Sequence, residues 1–303
     1  MAKRGHKDTR TLRDTMRALP WLFPVLLLIA SIVVYPTGVM IFNSTRKISR
    51  SGVDKGPIGF ENYHKVLENA ALPRVLMNTT IWVISIVVLT IVISLALAQF
   101  LNKPFPGRRL VRIAVIVPWA ASVVMTTTTI YYGLEPKFGI IQQLFHDLGF
   151  TSSIETGFTK QPLPAFIIAI MVAVFVSLPF TTYTILAGLQ SVPKDVLEAA
   201  RVDGAGRMRT YFSIVLPQLR PAVATAATIN IINVFNNLPI LKVLTGAIPG
   251  NKADTTTTLI FKMIEARGRI DLASALSVIN FLIVLVLIAI YLVVVKPMKG
   301  VDE

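Results

Sequence analysis

The chain has no cysteine, so no disulfide can staple it and no thiolate can hold a metal. Histidine is nearly as scarce. The three present, His6, His64 and His146, are isolated from one another and lie outside the apolar runs, so each reads as a loop residue and not as a metal ligand or base. No Gly-x-x-x-x-Gly-Lys-Ser/Thr phosphate loop occurs, so ATP is not held by that device. A Gly-x-Ser-x-Gly elbow and a His-Glu-x-x-His pair are absent as well. No catalytic residue, metal or cofactor is expected. Charge is in short supply too. Asp, Glu, Lys and Arg make up 15% of 303 residues and hydrophobic residues 53%, where a soluble domain carries about 25% charged residues.

The missing charge is concentrated. Six stretches, near Leu19–Phe42, Asn78–Leu101, Ile113–Tyr132, Ala165–Leu189, Pro221–Leu241 and Leu272–Val295, contain no ionisable acid or base of these four types. About twenty apolar residues are what a helix needs to cross a bilayer. The expected fold is therefore an all-α integral membrane protein with six transmembrane helices. The first run is longer than the apolar core of a signal peptide, and Tyr35-Pro36-Thr37-Gly38 is a poor cleavage site. Without a carboxylate, lysine or arginine in any span, a proton has nowhere to bind at membrane depth. Na⁺ coordination by carbonyls and hydroxyls stays open. An energy source outside the chain is implied.

The net charge of +14 does not point to nucleic acid, because the basic residues flank the spans instead of lining one soluble face. Lys3, Arg4, Lys7, Arg10, Arg13 and Arg17 precede the first span. Positive charge marks the cytoplasmic side, which places both termini in the cytoplasm. The links with Arg108, Arg109 and Arg112, with Lys194, Arg201, Arg207 and Arg209, and with Lys296 and Lys299 agree. One outer segment disagrees, since Arg46, Lys47, Arg50, Lys55, Lys65 and Arg74 lie between spans one and two. The chain divides into no soluble domain. A single transmembrane unit, residues 1–303, is expected, with a cytoplasmic tail over about 1–18 and a cytoplasmic loop over about 190–220. Outer loops near Asn43–Met77, Gly133–Pro164 and Gly246–Asp271 have room for short surface helices. Phe60-Glu61-Asn62-Tyr63 through Leu67 suits one at the outer interface.

The spans do carry neutral hydrogen-bonding groups. Asn230, Asn233 and Asn237 in span five follow i, i+3, i+7 spacing and would share one helical face. A buried amide without a partner costs roughly 2–7 kcal/mol. These amides either bond neighbouring helices or line a wet pathway suited to sugar hydroxyls. In span four, Ser177-Leu178-Pro179-Phe180 predicts a break, because Pro179 removes a backbone donor and crowds the carbonyl four residues back.

The most informative segment follows span four. Pro193 and Asp195 suit the first turn of a helix. Val192, Val196, Ala199 and Ala200 would fall on one side, and Gly204 can take the positive φ that ends it. A second short helix runs through Tyr211-Phe212 into Ile214-Val215-Leu216-Pro217. The spacing Glu198-Ala199-Ala200, three residues, Gly204, nine residues, Ile214, one residue, Leu216-Pro217 resembles the signature loop of binding-protein-dependent ABC importer permeases, and every defining position matches. Ala187-Gly188-Leu189-Gln190-Ser191-Val192-Pro193, Phe60-Glu61-Asn62-Tyr63, Asn78-Thr79, Val117-Pro118-Trp119, Phe235-Asn236-Asn237, Leu244-Thr245-Gly246 and Thr255 through Thr258 resemble the carbohydrate branch. Leu22-Phe23-Pro24 to Tyr35-Pro36 is similar to the maltose-type first permease of a heterodimeric pair. The extra amino-terminal spans and large outer domain of the enteric maltose protein have no counterpart, and Gly246-Ala247-Ile248-Pro249 replaces a more glycine-rich turn.

The resemblance implies the type I ABC importer permease fold, with a second permease subunit, a dimer of ATP-binding-cassette ATPases, a solute-binding protein outside and a carbohydrate cargo. It implies ATPase coupling through Glu198, Ala199, Ala200, Asp203 and Gly204. It implies substrate contacts at Ser177 and Phe180 in span four, with Asn230, Asn233 and Asn237 as candidates in span five. Ala173 and Val174 are apolar where the maltose permease has polar groups, which argues against maltose itself. The alternatives are an ABC permease for a non-sugar solute such as a polyol phosphate, or an ion-coupled carrier.

Overall fold

In a bilayer a chain can satisfy its backbone only by closing hydrogen bonds on itself, so long uncharged runs become helices. The computed structural model describes residues 10–149, 157–246, 248 and 250–295. Helix α1 (Arg10–Ile29) continues through a π-helical turn, Ala30–Val34, into α2 (Tyr35–Ser44). Strands β1 (Arg46–Ile48) and β2 (Asp54–Pro57) pair antiparallel, and α3 (Glu61–Leu67) follows. Then come α4 (Leu72–Asn102), α5 (Arg108–Ala120), α6 (Val123–Gly133), α7 (Ile140–Asp147) and the long α8 (Pro162–Gln190). The segment after α8 holds α9 (Lys194–Val202), α10 (Arg207–Thr210), a π turn at Tyr211–Val215 and α11 (Leu216–Gln218). The last elements are α12 (Arg220–Phe235), α13 (Pro239–Thr245), α14 (Thr256–Glu265) and α15 (Ile270–Val295).

Each of the six apolar runs is helical, but only four make an unbroken helix long enough to cross: Pro20–Ser44, Leu72–Asn102, Pro162–Gln190 and Ile270–Tyr291. The other two are bent pairs. Helices α5 and α6 meet at 93°, and the stretch Arg207–Gln218 meets α12 at 64°. The expected third span is therefore not one straight helix. Ala121 and Ser122 are extended, with ψ near 144° and 133°, and break it. Pro118, three residues earlier, already removes one helical hydrogen bond. The expected fifth span is also shorter than the run Pro221–Leu241. Its helix stops at Phe235, and Leu241 belongs to α13. The break expected in span four is absent. Helix α8 passes through Pro179, which is buried inside it. Thr181 and Thr184 hydroxyls donate to the carbonyls of Ser177 and Phe180 on either side.

Three apolar cores stack along α4. Val75 belongs to the first, with α3, α14 and the start of α15. Trp82, Val83 and Ile86 belong to the second, with α8, α12 and α13. Ala98 and Leu101 belong to the third, with the end of α8, Val215 and Leu219. Helix α3 packs onto the protein through Asn62 and Val66 instead of resting a fully apolar face on the outer interface. Asn62 Nδ2 donates to the carbonyls of Ser44 and Arg46 at 3.0 and 2.8 Å. The Tyr63 and Ser44 hydroxyls pair at 2.7 Å. Lys3, Arg4, Lys7, Lys296 and Lys299, and two positions of the turn at 246–249 (Ala247 and Pro249), lie outside the described residues.

Candidate functional site

Helix α9 begins after Pro193, whose extended backbone starts the turn, with Asp195 at the positive end of the helix dipole and Arg201 at the negative end. It ends on Gly204 at φ +73°. The Gly204 amide donates to the Arg201 carbonyl and the Ala205 amide to that of Ala200, at 3.1 and 2.9 Å. This double bond pattern is a Schellman stop, and the left-handed residue it needs is the glycine. The helix is thus closed at its C-terminal end by its own backbone.

The side chains divide differently from the expected stripe. Ala200 is buried, Leu197 packs inward and Val192 supports them. Val196, Ala199 and Glu198 face out, and Val202 is 87% exposed. Ala200 sits where helical geometry puts it, one turn on from Leu197 and Val196. Leu197 points inward to the apolar cluster formed by the ends of α4 and α8 with Val215 and Leu219, and Ala200, one turn on, is buried on the same edge. Asp203 and Gly204 are exposed. Exposed Met208 and Phe212 continue the apolar surface past the turn. They border a cavity of about 980 Å³ that also touches Gln99 on α4, Leu197 and Arg201 on α9, and Tyr211. Sequence reasoning missed Val202, Met208 and Phe212. The signal was available, as apolar residues set among Arg201, Arg207 and Arg209 in a solvent-facing segment.

The span-five amides separate into distinct environments. Asn230 is buried, donating to Thr181 Oγ1 at 2.8 Å and to the Ala226 carbonyl at 3.0 Å. Asn233, one turn on, is exposed. Asn237 lies beyond the helix end, where its Oδ1 accepts the Ile240 amide at 3.2 Å and helps start α13. The three do not share one helical face, because the helix has ended before Asn237. Ser177 and Phe180 on α8 are half-buried. Behind them Thr182 donates to Ser94 at 3.1 Å, tying α8 to α4.

The model of the binding-protein-dependent transport system inner membrane component family matches residues 9–298. The chain belongs to this family. A probable ABC transporter permease of Brucella suis biovar 1 (strain 1330) is 32% identical over 91% of the chain and 96% of that protein. The trehalose/maltose transport system permease of Thermococcus litoralis is 28% identical over 89% of the chain and 90% of the relative. A bacterial ABC transporter involved in import of the acidic polysaccharide alginate has the same fold, with a TM-score of 0.83 at 20% identity over 96% of this chain and all of that one.

In this permease, the remaining motifs of the carbohydrate branch prove to be clasps. Asn78 Nδ2 donates to the carbonyls of Lys252 and Asp254, at 3.2 and 3.0 Å. The Thr256 amide donates to Thr79 Oγ1 at 2.9 Å, and Thr257 Oγ1 donates to the Phe235 carbonyl at the same distance. Thr255 and Thr258 close a capping box at the start of α14. Asn78-Thr79, Phe235 and the Thr255–Thr258 run are therefore one structure, assembled from three distant parts of the chain. Trp82 Nε1 donates to the Val234 carbonyl at 2.9 Å and anchors the end of α12 to α4.

Proposed function

We propose that this permease forms a solute pathway with a second permease subunit, that a dimer of ATP-binding-cassette ATPases drives it, and that the cargo is a di- or oligosaccharide delivered by an extracytoplasmic solute-binding protein. The observation that carries the coupling part is α9. It is a short helix with a Schellman stop at Gly204, turned inward at Leu197 and Ala200, and presenting Glu198 and Ala199 outward. Asp203 and Gly204 form its stop. Among the described residues Glu198 makes no ion pair, so its carboxylate is available to a cation on another protein. A helix fixed in this way moves as a body, and closure of the ATPases would swing the spans joined to it. Basic residues on this loop and in the 108–112 link support a cytoplasmic position for it and for both termini.

Sugar cargo is supported by the relatives. Besides the trehalose/maltose permease, the sulfoquinovosyl glycerol permease of Agrobacterium fabrum is 28% identical over 94% of the chain. Within the spans, Ser177, Phe180, Asn233 and Asn237 offer one aromatic surface and neutral donors and acceptors, which suit a polyhydroxylated ring. Asn230 supports the pathway wall from behind through its bond to Thr181. The test is ATP hydrolysis by the complex reconstituted with its binding protein. Stimulation by sugar-loaded binding protein is expected. Hydrolysis indifferent to it, or uphill transport by the purified chain alone, would refute the proposal.

A further inference from the structure

The basic outer segment between spans one and two runs against the tendency of positive charge to stay inside, and nothing in the transport mechanism uses it. The ion pairs on this side leave a clear remainder. Arg46 pairs with Asp54 and Lys65 with Glu61. On the segments before span six, Lys242 pairs with Glu265, Lys262 with Asp254 and Arg269 with Asp271. Five of the six acids in these segments are thereby taken, and Glu68 alone is not. Lys47, Arg50, Lys55, Arg74, Lys252 and Arg267 are exposed and, among the described residues, make no ion pair.

Four of these cations gather at the hairpin. Lys47 lies on β1, Arg50 in the turn and Lys55 on β2. Arg267 is brought beside them by its neighbour Gly268, at φ +59°, where an added Cβ would stand 3.2 Å from the Arg50 carbonyl oxygen. Val53, 60% exposed, sits among them, and Phe60, 72% exposed, follows β2. The Glu61 carboxyl is held below its usual range by Lys65 first and by Lys47 to a lesser degree, and its ion pair is with Lys65, so it offsets only part of the Lys47 charge. Cations ringing an exposed apolar residue, with their own acids already used, match a surface that meets an acidic one.

We propose that Lys47, Arg50, Lys55 and Arg267, set around Val53, dock an acidic face of the solute-binding protein; this rests on the orientation and family reading given above. Delivery requires repeated capture and release. Charge complementarity speeds encounter without demanding a large permanent interface, and it is weakened by salt.

The test uses the whole complex in nanodiscs of zwitterionic phosphatidylcholine, titrated with its cognate binding protein and read by stimulated ATP hydrolysis. Wild type should need roughly tenfold more binding protein for half-saturation when salt rises from about 50 to 300 mM. The K47E/R50E/K55E/R267E variant should need at least about tenfold more already at low salt, lose most of the salt dependence, and reach the same maximal rate. Should that variant fail to assemble, its counterpart with glutamine at all four positions should give a smaller shift of the same kind. An unchanged half-saturation and salt slope overturns the docking patch. So does a difference that appears only when anionic lipid is added, which would assign the cations to the bilayer. If wild type assembles with its ATPase but no binding protein stimulates it, the functional reading fails and not the patch alone.

Discussion

Asn230 and Thr181 are 49 residues apart in sequence and share a 2.8 Å hydrogen bond that fastens α12 to α8. At membrane depth such a bond contributes about 0.6–2 kcal/mol, because the separated helices also find partners for their polar groups. Asn230→Leu should therefore lower the thermal stability of the purified permease by an amount in that range. Asn233→Leu, at an exposed position one turn along, should leave stability unchanged and cut uptake. Parallel unfolding and uptake measurements separate the two. Equal effects of both variants on stability would show that the two amides have the same role.

Charge at the tip of α9 is expected to decide the grip of the motor. Glu198→Lys should insert and fold normally, since Glu198 is exposed and, among the described residues, makes no ion pair. It should fail to retain the ATPase on co-purification and should abolish uptake. Transport at the wild-type rate in an intact complex would remove Glu198 from the coupling role.

Gly188 marks the closest approach of α8 to α12. A Cβ added there would lie 2.6 Å from that of Ala222, nearer than two carbons can stand without displacement. Gly188→Ala should cost about 1–3 kcal/mol through overpacking. Adding Ala222→Gly should recover much of that loss, and a double-mutant cycle in thermal unfolding measures the recovery.

Asp254 is 2% exposed and receives bonds from Lys262 Nζ at 2.9 Å and from Thr258 Oγ1 at 3.2 Å. Asp254→Ala should destabilise the outer clasp by about 3 kcal/mol, the low end for breaking a buried pair, because a third of Lys262 is in water. Faster trypsin cleavage near Lys252, with the spans still intact, is the expected signature.

The positions of the six apolar runs were legible because hydrocarbon tolerates no other composition. Direction was not. Hydropathy is blind to the 93° turn at Ala121–Ser122, since both halves are equally apolar. Proline gave mixed guidance for a physical reason. Pro179 is buried inside a helix packed along much of its length against α4, and that packing holds the helix straight through it. Pro118 precedes a segment with extended backbone at Ala121 and Ser122, and the chain turns there. Asn237 was read onto the Asn230 face by assuming one continuous helix. Pro239 was the available warning, because it has no amide to donate to the Phe235 carbonyl, which accepts from Thr257 Oγ1. The cytoplasmic stub was more transparent. Its stop needs a left-handed residue, and Gly204 stands where that requirement falls.

The first long helix, Pro20–Ser44, has none of its apolar window covered by the rest of the chain, and its own chain holds it only along its last part, where α2 packs against α15 and Asn62 and Tyr63 bond Ser44. It behaves as a tethered stave, dissolved in lipid along most of its length. Its uncovered side chains are the broad lipid-facing surface that this chain can offer to the second permease subunit proposed above.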